Sequence, residues 1–369
     1  MATSLRALRG QWLRQSLRSA EQTRWQSSFT HLQEEMPRRK IQPIFDDLTP
    51  TPSYRLDISM ADYLPTPNPP TILPSTTNSP ILPIPHHLIY FEPTKRGSDM
   101  LADGTNPDQS PGEPFVRRMW AGGHVLYNNA NPLPLDSSRG VCAEFIRSVN
   151  IKGHEGDERL FVRIERRLAK ATQGEVDTIA GAMKDTQAKE TLEHRVRQRL
   201  WRDQDDDFGP CSIIETRNIV FMRARSKEQA AAETAKSKGK ILKPQHKPDW
   251  EHTIIGDQKL LFRFSALTFN AHAIHLDPEY CREVEGHRER LFHGPMSLAF
   301  LVTLLRDELR KTSSDVIKSI EYRNLAPLYC NEPVKFCGTK IADGKWEAWV
   351  ETPEGGIAVK GTVLTEPGS

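Results

Sequence analysis

Residues 295–310 read Pro-Met-Ser-Leu-Ala-Phe-Leu-Val-Thr-Leu-Leu-Arg-Asp-Glu-Leu-Arg. The first ten are apolar nearly all round, and a helix of that kind has no face to offer water, so it must be buried on most sides. Proline suits the first turn, where its missing N–H would lack an intrahelical acceptor in any case. Arg306 and Arg310 fall in the last turn, where the helix dipole favours cations. The longest strongly apolar run, residues 298–305, is far too short to cross a bilayer, which takes about 20 residues.

Alternating apolar runs follow this helix and predict strands over residues 316–324, 334–341, 345–351 and 357–364. Asp343-Gly344 and Glu354-Gly355-Gly356 supply hairpin turns between them. Residues 259–264 read as a further strand ahead of the helix. A curved antiparallel sheet wrapped on one apolar helix is the hotdog fold. Upstream, the same rhythm of four strands recurs over residues 119–127, 141–151, 160–168 and 211–223, with a turn at 153–157. No apolar helix accompanies it. In its place stand residues 64–85, with eight prolines, and the segment 86–93. Such proline density excludes a helix or a central strand and predicts an extended connector on a surface. The expected class is α+β, a double hotdog whose N-terminal helix is degenerate.

The remaining stretches fit around these halves. Residues 1–30 carry Arg6, Arg9, Arg14, Arg18 and Arg24 against one acid, Glu21, with leucines at helical spacing and frequent serine. That pattern predicts a mitochondrial transit peptide, cleaved near residues 24–29. Residues 170–209 form an insert with a charged surface helix around 188–201, ending in the acidic run 203–207. Residues 226–247 are rich in alanine and lysine; a basic patch for an acidic partner is one reading, a solvated linker the simpler one. The expected organisation is residues 1–30 as transit peptide, 31–225 as degenerate hotdog, 226–250 as Lys-rich linker and 251–369 as catalytic hotdog.

Composition narrows the function classes. The net charge of +2, from 50 basic and 48 acidic residues, lacks the basic excess of a nucleic-acid protein. Five widely spaced cysteines with no Cys-x-x-Cys support neither a disulfide framework nor a structural zinc site.

Residues 264–277 read Phe-Ser-Ala-Leu-Thr-Phe-Asn-Ala-His-Ala-Ile-His-Leu-Asp. This run resembles the signature of MaoC-like (R)-specific enoyl-thioester hydratases, with Ala266-Leu267-Thr268, Ile274-His275 and Asp277 in register. With His293-Gly294-Pro295, it is closer to the branch of mesaconyl-CoA hydratase-like proteins and fungal mitochondrial 3-hydroxyacyl-thioester dehydratases. Segments 87–93, 117–123 and 322–328 also resemble that branch, so the resemblance spans roughly residues 86–365. It implies a hydro-lyase, with His275 on the family's catalytic histidine. Asn270 falls where most members carry a catalytic aspartate.

The chemistry matches those residue types. Dehydration of a 3-hydroxyacyl thioester removes a weakly acidic proton from C2 and returns a proton to the departing hydroxyl. One imidazole can do both in turn. An amide cannot take a proton, so Asn270 is expected to hold water or the substrate hydroxyl, or else to cap a helix, and the base is His275 alone. The first amides of the buried helix are fixed donors for an enolate oxygen, and Gly294 allows close approach; its N–H is the candidate oxyanion donor. His272 and His293 are candidate substrate contacts, with a metal ligand and a helix-entry residue as their respective alternatives. Arg323 is either a phosphate contact or a strand-end ion-pair partner.

The leading expectation is a (3R)-3-hydroxyacyl-thioester dehydratase of mitochondrial fatty-acid synthesis in the matrix. Its alternatives are a hydratase of mesaconyl-CoA or another short acyl-CoA, an acyl-thioester hydrolase, and a non-catalytic hotdog that binds acyl carriers. The expected partner is an acyl-CoA or acyl-carrier-protein thioester, with no cofactor, metal, nucleic acid or membrane span. The chain is expected as a monomeric pseudo-dimer or a homodimer.

Overall fold

The computed structural model describes residues 28–368 apart from 66–68, 79, 227–228 and 230–240. Most of the expected transit peptide and the centre of the Lys-rich linker lie outside the described residues. Ten strands form one sheet. They are β1 (Ile44–Asp47), β2 (Arg117–Tyr127), β3 (Arg139–Lys152), β4 (Arg159–Lys170), β5 (Ile213–Met222), β6 (Trp250–Ile255), β7 (Asp315–Asn324), β8 (Pro333–Ala342), β9 (Lys345–Glu351) and β10 (Ile357–Pro367). Their order is β1-β3-β4-β5-β2-β7-β10-β9-β8-β6, and every neighbouring pair is antiparallel. The two half-sheets meet where β2 pairs with β7, from Gly122 opposite Arg323 to Leu126 opposite Ser319.

Among the described residues, five helices of ten residues or more accompany the sheet: α1 (Pro50–Met60), α2 (Gln173–Ala182), α3 (Thr186–Leu200), α4 (Gln258–Leu267) and α5 (Gly294–Thr312). In α5 every residue from 296 to 305 is buried, as the all-round apolar pattern requires. It lies in the curve of β7–β10, with Phe300 against Phe336 and Phe292. Among the described residues, the N-terminal half has no such helix. Residues 88–91 are buried instead in the same core as Val125, Tyr127, Cys142 and Leu168. A double hotdog with a degenerate first helix is the observed architecture.

Two local readings are corrected. Residues 259–264 are helical, not a strand. The Asp257 side chain accepts from Leu260 N–H at 3.0 Å and caps α4, and the buried residues Leu260, Leu261, Phe264 and Ser265 follow a helical spacing. The strand ahead of the helix is β6, in which only Ile254 is buried, so its apolar signal is faint. The insert 170–209 holds two helices rather than one. Thr172 and Glu175 form a capping box that starts α2, and the hairpin α2–α3 covers Val141, Ala143 and Ile214, away from the catalytic half.

Candidate active site

The loop after α4 places the histidines. Phe269 adopts φ +48° and ends the helix, while Thr268 Oγ1 donates to Phe264 O at 2.8 Å. Asn270 N–H donates to Ser265 O at 2.8 Å, and Asn270 Oδ1 accepts from His272 N–H at 3.0 Å. A single helical turn, Ala273–Leu276, then turns His275 inward.

His275 Nδ1 donates to Leu291 O at 2.8 Å. A carbonyl only accepts, so Nδ1 carries the proton and Nε2 keeps its lone pair. Burial pushes the pKa of His275 down to about 4, against a smaller opposing effect of the Leu291 carbonyl. His275 is therefore a neutral acceptor at physiological pH. The His293 ring stacks on it with centroids 3.7 Å apart and planes at 21°. His293 in turn meets Ser265 Oγ through Nε2 at 2.9 Å, and burial holds its pKa well below the ordinary value.

A cavity of about 530 Å³ opens on this loop and runs into the N-terminal half. Asn270, His272, His275 and Gly294 line it, whereas His293 stands behind His275 and does not. Gly294 begins α5 and lines the cavity, and no side chain caps that helix start; Pro295 has no N–H and the Ser297 N–H donates to His293 O at 3.0 Å, so Gly294 carries the candidate free amide. Trp120 and Asn324 press against Gly294: a Cβ there would sit 3.2 Å from Asn324 Nδ2 and 3.7 Å from Trp120 Cβ. The Trp120 backbone carbonyl accepts from Asn324 Nδ2 at 2.8 Å, and its indole N–H donates to the Tyr322 hydroxyl oxygen at 3.1 Å.

Arg323 does not belong to this group. Residues 320, 322 and 324 of β7 face inward, so the pleat turns Arg323 out; it is exposed and does not line the cavity. Sequence reasoning also missed contributors. Trp120 sits in a segment quoted above only for its resemblance. Asp103, 3.5 Å from His272 Nε2, lies in an Asp-Gly-Thr turn with no distinguishing local signal.

Part of the cavity wall is polar. Glu144, Arg166 and Glu215 are cross-strand neighbours, with Arg166 2.9 Å from Glu144 and 2.8 Å from Glu215. Arg217 bonds Glu215 at 2.8 Å, lies 4.0 Å from Glu92, and stacks over Trp120 at 4.9 Å. Burial raises the pKa of Glu92 to about 7. Glu92, Glu144 and Arg217 reach the cavity surface.

The model of the family described as hydroxyacyl-thioester dehydratase type 2 matches residues 85–189 and 175–330, two thirds of the chain. The chain belongs to that family. Membership makes it a hydro-lyase with a MaoC-like hotdog architecture. A mesaconyl-C(4)-CoA hydratase of Chloroflexus aurantiacus is 28% identical over 292 residues, covering 78% of this chain and 85% of the relative. A hydroxyacyl-thioester dehydratase type 2, mitochondrial, of Schizosaccharomyces pombe is 26% identical over 256 residues, covering 68% and 76%. Among solved structures, a MaoC-like dehydratase from Phytophthora capsici superposes with a TM-score of 0.52 at 10% identity, covering 91% and 99%. That likeness bears on the fold. Both half-sheets contribute to one cavity, which is lined by His275 from the C-terminal half and by Trp120 and Arg118 from the N-terminal half.

Proposed function

We propose that the protein interconverts (3R)-3-hydroxyacyl and trans-2-enoyl thioesters by a single-base mechanism at His275. The supporting observation is the fixed tautomer of His275, which leaves Nε2 unprotonated in a residue that lines the same cavity as Gly294. In dehydration Nε2 takes the C2 proton, and charge builds on the thioester oxygen against Gly294 N–H. The C2–H electron pair becomes the second bond to C3 as the C3–O bond breaks. The imidazolium then returns its proton to the departing oxygen, giving water and restoring neutral His275. A base with a pKa near 4 rests unprotonated, which suits a cycle that starts by accepting a proton in either direction.

For the setting, the reading is mitochondrial fatty-acid synthesis in the matrix. It draws on the fungal relatives, whose names carry the word mitochondrial, and on the basic, acid-poor residues 1–30. In this reading residues 31–225 and 251–369 are the two hotdogs of one pseudo-dimer, sufficient as a monomer or paired again as a homodimer, with residues 226–250 linking them.

A second reading is favoured by the polar part of the cavity wall. An alkyl terminus pressed on Glu92, Glu144 and Arg217 would strip water from charges and return nothing. A short acyl group with a polar end, such as mesaconyl, would bond to them instead. Loss of enoyl absorbance with crotonyl-, decenoyl- and mesaconyl-CoA separates the two: the leading form expects turnover of decenoyl-CoA, and activity confined to mesaconyl-CoA would replace it with the second.

A further inference from the structure

Asn270 stands where the family commonly has a carboxylate, and its side-chain oxygen is already occupied by the backbone N–H of His272. A different carboxylate reaches the site from the other half of the chain. Asp103 Oδ2 lies 3.5 Å from His272 Nε2, and both side chains are buried. The other oxygen, Oδ1, accepts from Thr105 N–H at 3.0 Å and from Thr105 Oγ1 at 2.5 Å, which fixes the carboxylate. The two loops are clamped together. Ala273 N–H donates to Asp103 O at 2.9 Å. Gly104 adopts φ +81°, and a Cβ there would collide with the Ala271 carbonyl.

We infer that Asp103 and His272 form a water-positioning pair for the addition and loss of water at C3. The inference rests on the hydro-lyase reading above. The carboxylate draws the single ring proton of neutral His272 to Nε2, which leaves Nδ1 as an acceptor. Nδ1 has no partner among the described residues. His272 lines the same cavity as His275, with ring centroids 5.7 Å apart. Burial, with His275 and Arg118 nearby, keeps its pKa well below the ordinary value, so it accepts a hydrogen bond rather than donating a proton.

The two histidines then divide one water. In hydration one O–H donates to His272 Nδ1 and stays intact. The other O–H breaks: its proton passes to His275 Nε2 and its electron pair forms the C3–O bond. The C2–C3 π pair takes that proton back from His275 at C2. In dehydration the substrate hydroxyl donates to His272 Nδ1, which aims an oxygen lone pair at the proton on His275. His272 ends every cycle unchanged. It is a catalytic residue by contact with the reacting water, and Asp103 is a positioning residue.

The test uses the full chain and crotonyl-CoA. In Asp103→Asn the amide can present an N–H to His272 Nε2, favouring the wrong tautomer. The expected result is a kcat lower by about a hundredfold, with KM and inhibition by butyryl-CoA within about threefold. His272→Ala should cost as much, and the double variant no more than His272→Ala alone. Unchanged kcat in Asp103→Asn, or multiplying effects in the double variant, would overturn the pair. Nitrogen-15 shifts of the His272 ring in the wild-type protein provide an arm independent of variant folding. The Nε2–H tautomer at neutral pH is expected, and the Nδ1–H tautomer overturns the inference. A wild type inactive on every enoyl-CoA removes the hydro-lyase reading and this one with it; an active wild type with an indifferent Asp103→Asn removes only this one.

Discussion

His275 stacks face to face on His293 with ring centroids 3.7 Å apart, and the two rings are held by different anchors, the Leu291 carbonyl and the Ser265 hydroxyl. At rest both rings are neutral. A proton on either places a charge in a buried site where no described carboxylate touches either ring, so the imidazolium is short-lived.

This sets the acid limb of activity. His275 titrates at about 4 rather than 6.5. The kcat/KM for crotonyl-CoA hydration is expected to stay flat as pH falls from 8 to about 5, then drop through about 4. A drop centred near 6.5 would mean an exposed or differently partnered base.

Stability should follow the same groups with the opposite reference. A buried histidine with a depressed pKa takes up its proton on unfolding between the folded and unfolded values, so the unfolded state binds more protons there and stability rises with pH across that window. For His275 the window runs from about 4 to 6.5, and the full contribution, present above it, is roughly 3 kcal/mol. His86 and His87 are also fully buried and shifted down, to about 3 and about 4. Thermal melts from pH 7 to pH 4.5 should therefore lose several degrees of Tm, even though Glu92 and Asp57, raised to about 7 and about 6, gain protons in the folded state over the same range and offset part of the loss. A flat profile over that range contradicts the burial account.

Gly294→Pro removes the proposed oxyanion donor at a position where proline suits the helix start. A kcat loss of about a hundredfold is expected, equal to roughly 3 kcal/mol of transition-state stabilisation, while Gly294→Ala, which meets the same crowding by Asn324 and Trp120 but keeps the N–H, loses much less. Retained kcat would move the oxyanion donor elsewhere.

Arg323→Ala should leave kcat and KM within about twofold, because the side chain is exposed and points away from the cavity. Loss of substrate affinity in that variant would restore the phosphate-contact reading.

Much of this was legible in the chain itself. The apolar residues 295–305 could only be a buried helix, and the alternation over β7–β10 could only face one. Strong local patterns need no tertiary context to read. Residues 259–264 misled because paired leucines and alternating phenylalanines fit either period, and only the Asp257 cap decides for helix. The Ala-Leu-Thr and Ile-His pieces pointed to His275. They gave no sign of Asp103, which is far away in sequence and reaches His272 only because the Asp103–Thr105 turn docks on the catalytic loop. The charged row Glu144–Arg166–Glu215 was equally hidden, since each member looks like an ordinary outward strand residue until the register aligns them.

The central claim is that His275 is the proton-transfer group of a hydro-lyase. Purified protein and its His275→Gln variant, compared on trans-2-enoyl-CoA with the product configuration determined, test it most directly. The account predicts (3R)-3-hydroxyacyl-CoA from the wild type and a rate at least about a hundredfold lower from a folded variant. Full activity in the variant, or no hydration by the wild type on any enoyl-CoA, would contradict it.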